Sequence, residues 1–312
     1  MRRTEAISTI AAGSSAALAR PARAQQLEVV RIVGPISEAQ THIYYAIKTG
    51  MFARAGLDVS LVRVTSGAVA TEAVITGAYE IGITNVLAVF SGHLRGIPIA
   101  IVAPGIVNTA RNPNAQLQVA ADAPYKTGAD LNGKIAASPG LGDINSLATR
   151  AWVDKNGGDS HTLKFVEIPN VALEAALAQH RIDAAVLQSP VLEASIASGA
   201  TKTIGYAYGA IAPLFMGGAY VGRRDWADQH AATMRRVARV MAEATTYINA
   251  HFTETAPLVA ELTQITLDNT AKMHRTINGT ILDPALLQPV IDVAAKYGTI
   301  PQAFSAREIV WT

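Results

Sequence analysis

Along the first third of the chain, short apolar runs rich in β-branched residues alternate with Ala-rich stretches whose apolar positions recur at helical spacing. LEVVRIV (27–33) precedes a helical stretch from Thr41 to Thr49, LDVSLVRV (57–64) one from Ala68 to Ile75, and EIGITN (80–85) one from Val86 to Leu94; IPIAIVA (97–103) closes the series. A hydrophobic period near 2 that keeps switching to one near 3.6 predicts βαβ units and a mostly parallel sheet. Gly50, Gly56, Gly67, Gly77 and Gly96 fall at the expected turns.

A second series follows the loop Asn108 to Asn114. It runs through LQVAAD (117–122), GKIAAS (133–138), a helix from Asn145 to Lys155, LKFVEI (163–168), a helix from Val171 to Gln179, AAVLQS (184–189) and TKTIGYA (201–207). After AYVGR (219–223) the pattern is helical over Asp225–Ala250, Thr255–Thr263, Leu267–Ile277 and Pro284–Lys296, and Met234, Val237, Ala238, Met241, Ala244 and Ile248 mark a core-facing stripe. The fold class is therefore α/β, two units of similar size with a helical C-terminal region. The two series also resemble each other. Ala73 to Gly77 through Glu80 to Asn85 aligns at one constant offset with Ala176 to His180 through Asp183 to Gln188. Chance and shared descent explain this equally well, and either places Asn85 and Gln188 at the C-terminal ends of strands, where open α/β sheets bind ligands.

Half of the 312 residues are hydrophobic, enough for a large core, and no apolar run approaches the roughly 18 residues needed to cross a bilayer. Residues 1–24 read as a cleaved signal peptide: Arg2 and Arg3, a small-residue apolar stretch from Ala6 to Ala19, and Ala22-Arg23-Ala24 at the cut. The Arg pair suggests twin-arginine export, but Glu5 and Ala6 stand where that signal has large apolar residues, so the pathway stays open. The alternative, an amphipathic first helix, is made poor by Gly13-Ser14-Ser15 and Pro21. Cleavage takes four of the 26 basic residues and one of the 24 acidic ones, leaving 22 against 23. No basic face remains to neutralise phosphates, and a nucleic-acid partner is not expected.

The chain has no cysteine, which excludes disulfides, thiolate catalysis and Cys-ligated zinc. It also excludes an acylated cysteine anchor, and a freely diffusing exported protein needs an outer compartment to retain it, which points to a Gram-negative periplasm. Gly140-Leu141-Gly142-Asp143-Ile144-Asn145 begins like a dinucleotide fingerprint but has Asn145 at the third glycine position. There is no phosphate loop, no H-E-x-x-H pair and no G-x-S-x-G elbow, and the seven histidines are scattered singly. No catalytic residue, metal ligand or cofactor is expected.

The segment Tyr44-Tyr45-Ala46-Ile47-Lys48-Thr49-Gly50-Met51-Phe52, followed by Gly56-Leu57-Asp58-Val59, resembles the opening of the nitrate/sulfonate/taurine and thiamine-pyrimidine-precursor solute-binding proteins. Ser66-Gly67, Ile97-Pro98-Ile99, Asp130 to Lys134, Ile182 to Val186 and Ala244 to Asn249 agree in order and spacing. The resemblance runs from about Leu27 to Gly298. It implies a two-lobed type II periplasmic-binding-protein fold, each lobe a mostly parallel sheet flanked by helices. Lobe 1 would comprise residues 25–116 and 218–312, with lobe 2, residues 117–217, inserted. Two crossing hinge strands would lie near Leu117–Ala121 and Met216–Val221. It further implies a monomer that delivers a small-molecule solute to an inner-membrane ABC permease with its ATPase. His42 replaces a small residue or proline at the mouth of the first helix, as a ligand contact or an exposed loop residue; His180 replaces a turn glycine.

Helices beginning at Ser66-Gly67 and at Gly142 to Ser146 would aim backbone N–H groups into the cleft, a seat for a sulfonate or an aromatic or aliphatic carboxylate. The expected ligand-binding residues are His42, Tyr44, Ser66, Gly67, Thr84, Asn85, Gly142, Asn145, Ser146, Gln188 and Ser189. Asp143 would repel an anion there unless it turns outward, or would receive a ligand amine or hydroxyl. A solute-binding subunit is the function so implied. Its rivals are an enzyme like the thiamine-pyrimidine synthases, against which the missing cysteines count, and a ligand-sensing domain, for which no DNA-binding helix pair precedes the lobes.

Overall fold

The computed structural model describes residues 26–312, so the expected signal peptide lies outside the described residues. The chain lays down β1 (Glu28–Gly34), α1 (Thr41–Lys48), α2 (Met51–Arg54), β2 (Leu57–Arg63), α3 (Gly67–Ile75), β3 (Ile81–Asn85), α4 (Val86–Leu94) and β4 (Ile99–Pro104). It passes through β5 (Val107–Thr109) into β6 (Ala115–Ala120), β7 (Ile135–Ser138), α5 (Ile144–Lys155), β8 (Lys164–Glu167), α6 (Asn170–Ala178), β9 (Ala184–Gln188), α7 (Val191–Ala197) and β10 (Thr201–Gly205). It returns through β11 (Leu214–Met216) to β12 (Gly218–Arg223), then α8 (Arg224–Gln229), α9 (Ala231–Ala250), α10 (Phe252–Thr263), α11 (Leu267–Lys272) and α12 (Gln288–Lys296).

Two five-stranded sheets result, in the orders β2-β1-β3-β12-β4 and β8-β7-β9-β6-β10. In each, the first three strands are parallel and the fourth runs antiparallel, supplied by the chain as it arrives from or leaves for the other sheet. The sheets therefore share one topology. The repeat legible in the sequence is its local trace: α3 and α6, and likewise β3 and β9, start and stop at the same constant offset. His180, the counterpart of Gly77, takes the same left-handed turn, φ 53° against 76°.

Parallel strands covered by helices are buried on both faces, which explains why Val30, Ile32 and Val33 of β1 are fully enclosed; β4, the antiparallel edge strand, is also buried throughout, with α4 and α9 packed on it and Val310 bridging Ile101. One apolar cluster joins α4 and β12 of the first sheet to β6 and α5 of the second, and α12 packs into it from the C-terminal region. Helix α9 closes a second cluster with Met234, Val237, Met241 and Ala244, the stripe read from its spacing.

The hinge differs from expectation. The segments that cross are β5 and β11, paired antiparallel with Phe215 opposite Asn108, not 117–121 and 216–221. Residues 117–120 belong to β6, held between β9 and β10, and β12 begins only at Gly218. Apolar alternation looks the same in a crossing strand as in a sheet strand, so the pattern could not separate them. The helix expected over 225–250 breaks at His230, whose ring stacks on Trp226. The helix expected to reach Ile277 stops at Lys272, because Arg275 and the Thr276 backbone are drawn onto the Glu38 carboxylate. Helix α7 and strands β5 and β11 had no counterpart in the sequence pattern. Among the described residues no helix is long and apolar enough to cross a membrane.

Candidate functional site: a cleft between two sheet ends

The C-terminal ends of β1 and β3 face those of β7 and β9 across a cleft, with the β5–β11 pair at its back. Its inner chamber, about 280 Å³, is lined from the first sheet by Ser37, Gly67, Thr84 and Asn85, from the second by Asp143, Asn145, Asn170, Gln188 and Tyr208, and from the crossing by Ile106 and Asn108. An outer chamber, also about 280 Å³, shares Ser37, Ala39, Ile106, Asn108 and Gln188 with it and continues to Pro190, Ile265 and Met273.

Local folding dictates how each side chain is presented. Ser66 caps α3, its hydroxyl accepting from Val69 N at 3.3 Å, and Gly67 lets the helix start press on β3: a Cβ there would stand 3.1 Å from Thr84 Oγ1. Thr84 is buried beneath that start, and its Oγ1 has no hydrogen-bond partner. Asn85 caps α4, its Oδ1 accepting from Ala88 N at 3.0 Å, which leaves its amide nitrogen as a donor. On the second lobe Asp143 caps α5. Its Oδ1 accepts from Ser138 Oγ at 2.5 Å and from Ser146 N at 2.9 Å. Gln188 Nε2 donates to the Tyr208 hydroxyl at 3.0 Å, which donates in turn to Asn145 Oδ1 at 2.6 Å. That relay leaves Gln188 Oε1 as an acceptor and Asn145 Nδ2 as a donor.

Of the residues singled out from the sequence, Gly67, Thr84, Asn85, Asn145 and Gln188 line the inner chamber and Ser189 the outer one. The Ser189 hydroxyl is already committed, donating to Glu193 Oε1 at 2.7 Å, and that oxygen also accepts from His274 N at 2.8 Å. The remaining five stand off the cavity. Ser66 is an exposed cap, and Gly142 and Ser146 hydrogen-bond each other within the α5 cap at 3.2 Å. The Tyr44 hydroxyl donates outward to Glu261 at 2.7 Å. His42 is neither a cleft residue nor an exposed loop residue. It is 1 % exposed beneath the cleft floor, edge-on to Tyr220 with ring centroids 5.6 Å apart, and neither ring nitrogen has a hydrogen-bond partner.

Sequence reasoning missed Tyr208, Asn108 and Asn170. Tyr208 sits in the short turn Ala207–Ala210, where nothing distinguishes it from Tyr206, and Asn108 was read as the start of a loop rather than as the crossing strand.

The electrostatics are one-sided. No Lys, Arg or His lines either chamber. Of the two acids, Glu38 is paired with Arg275, whereas Asp143 has no cationic partner. Burial holds its carboxyl above the usual carboxylate range, although Ser138 and Ser146 donate to it. Burial, with the Asp143 charge beside it, raises the Tyr208 phenol too, so it stays a neutral donor. His42 is pushed down to about 3 by burial and is neutral at any working pH.

Solved structures share this architecture. The periplasmic aliphatic sulphonate binding protein of Escherichia coli superposes with a TM-score of 0.75 at 18 % identity, over 91 % of this chain and 92 % of that one. A ligand-binding component of an ABC-type import system from Staphylococcus aureus gives 0.77 at 13 %, over 91 % and 96 %. The periplasmic nitrate-binding protein of Synechocystis gives 0.69 at 14 %, over 91 % and 85 %. At such identities the likeness is one of fold, the two-lobed periplasmic-binding-protein fold. In sequence, a formylaminopyrimidine-binding protein of Halalkalibacterium halodurans is 27 % identical over 146 residues, 47 % of this chain, and the match spans only 42 % of that protein. The family model described as NMT1/THI5 like matches residues 38–255, most of both lobes and both crossings. The chain belongs to the NMT1/THI5-like family.

Proposed function

We propose that this chain is the solute-binding subunit of an ABC importer, holding a small organic molecule in the cleft between the two sheet ends and passing it to a membrane permease. The observation that carries this is the cleft itself. Open polar groups from both lobes converge on one cavity, with an apolar wall at Ile83, Ile106 and Ile144, and nothing in it forms a nucleophile–base pair. Residues 25–116 with 218–312 form one closing lobe in this reading, and 117–217 the other. Because α12 packs on α4, α5 and β11, it sits at the pivot rather than riding on one lobe. A periplasmic, monomeric protein released by a cleaved signal peptide fits the same reading.

The solute is the finer question. The starts of α3 and α4 offer backbone N–H groups, which supports the sulfonate or carboxylate implied by resemblance. The start of α5 is occupied by Asp143, and no cationic side chain reaches the cavity. A neutral solute carrying both donors and acceptors matches that lining better than an anion. An enzyme like the thiamine-pyrimidine synthases is the second reading: the family is shared, but the chain has no cysteine.

A thermal-shift screen of ligand-stripped protein tests this, against sulfonates, carboxylates, nitrate, pyrimidines and neutral amides. A solute at about 100 times its dissociation constant adds roughly 2.7 kcal/mol, several degrees for a chain of this size. Shifts confined to one chemical class support the proposal. Silence across the panel, together with product formation in a turnover assay, would replace it with the enzyme.

A further inference from the structure

Helix capping explains only half of the Asp143 carboxylate. Both of its hydrogen bonds fall on Oδ1, from Ser138 Oγ and Ser146 N, so Oδ2 is the acceptor left for the cavity that the residue lines. An Asn would cap α5 about as well without a charge, and the charge is placed where no cation offsets it. Glu38, the other acid of the cleft, is by contrast neutralised by Arg275.

An independent observation on the opposite lobe concerns Thr84. It is 4 % exposed and lines the same cavity, and its hydroxyl has no partner. A buried hydroxyl left unpaired is costly, and no protein group within reach satisfies it. The Gln188–Tyr208–Asn145 relay adds one fixed acceptor and one fixed donor. The cavity thus asks for a solute with an N–H for Asp143 and complementary donors and acceptors for the rest. A carboxylate or sulfonate would meet an unscreened like charge in a partly desolvated site, where such repulsion is strongest.

We infer that Asp143 is the specificity-determining group of the cleft, admitting solutes that present an N–H donor, neutral or cationic, and turning away those whose polar group is a bare carboxylate or sulfonate. This rests on the solute-binding reading above.

The test is titration calorimetry on the full chain and on Asp143→Asn with four probes: a formylaminopyrimidine, a primary alkylammonium, the sulfonate MOPS and an aliphatic monocarboxylate. The expected result is that an N–H-bearing probe binds at least tenfold tighter than either anion, and that Asp143→Asn weakens it at least tenfold without lowering the melting temperature. Asp143→Ala, which removes the cap as well, should lower that temperature. Unchanged affinity of Asp143→Asn for the N–H probe would overturn the inference, as would preference of the parent for an anion; either leaves solute binding standing. An affinity loss in Asp143→Asn accompanied by the same fall in melting temperature as in Asp143→Ala would also overturn it, as a packing effect. Failure of all four probes to bind would overturn the inference, whereas the solute-binding reading falls only with silence across the full screening panel and turnover in its place.

Discussion

Two titratable groups near the cleft, the buried His42 and the half-buried Asp143, respond to pH in opposite senses. His42 has its folded pKa lowered to about 3 from an ordinary value near 6.5, so the folded state binds fewer protons than the unfolded chain. Its contribution is complete above pH 6.5 and is lost as pH falls from there toward 3, by at most about 5 kcal/mol at 1.36 kcal/mol per pH unit. Asp143 has its folded pKa raised, so its contribution is complete below the ordinary carboxylate value and is lost as pH rises through the folded one. Denaturant unfolding followed from pH 7 to 4 should therefore show falling stability that His42→Leu largely flattens; an unchanged slope in that variant would show that His42 is not the acid-sensitive group. Asn85 and Gln188 were legible as strand-end residues, and both line the cleft, because strand ends in such sheets are predictable from the hydrophobic period alone. His42 was not, since a helix start looks the same in sequence whether its side chain faces a cleft or is roofed over by Tyr220. The same blindness hid Tyr208, which reaches the cavity only because the return crossing folds it there. Tyr208→Phe removes the hydroxyl that joins Gln188 to Asn145 and leaves two amides short of a partner. It should cost about 1–3 kcal/mol in urea unfolding. A loss of only a few tenths would mean that the relay does not orient those amides.

At the scale of elements, most strands and helices of the first two-thirds of the chain, α7 and β5 excepted, were readable to within a few residues, because each is amphipathic or wholly apolar over its full length. What escaped was short or bent by a distant partner. The crossing strands β5 and β11 have three residues each, too few for a period to show, and α11 ends where Glu38, more than 230 residues away, captures Arg275. The crossing carries its own constraint. Gly217 follows β11, its N–H donates to Ile106 O at 2.9 Å, and a Cβ there would stand 2.4 Å from Asn108 Nδ2. Gly217→Ala should push the Asn108 amide into the cavity and weaken solute binding about tenfold while the chain still folds, read as a rise in dissociation constant with a native circular dichroism spectrum. Native affinity would show that Asn108 has room to move aside and that the cleft does not depend on its place.

For the whole molecule, the matching strand orders turn a weak sequence echo into an architectural one: two sheets of one topology, each with its fourth strand antiparallel to the first three. Their C-terminal edges oppose each other, so a single solute between them touches both. Glu193 of α7 reaches across to His274 beyond α11, a polar contact at the rim of the outer chamber. One apolar cluster runs through α4, α5 and α12, joining the two sheets. The central claim is that both walls of this cleft grip one solute. Hydrogen–deuterium exchange, with and without the tightest-binding member of the screening panel, tests it most directly. The account predicts protection on both walls together, in peptides covering Gly67 to Thr71 and Thr84 to Ala88 and in those covering Asp143 to Leu147 and Gln188. Protection confined to one wall, or centred elsewhere such as the surface hollow between Gly77 and Arg223, would contradict it.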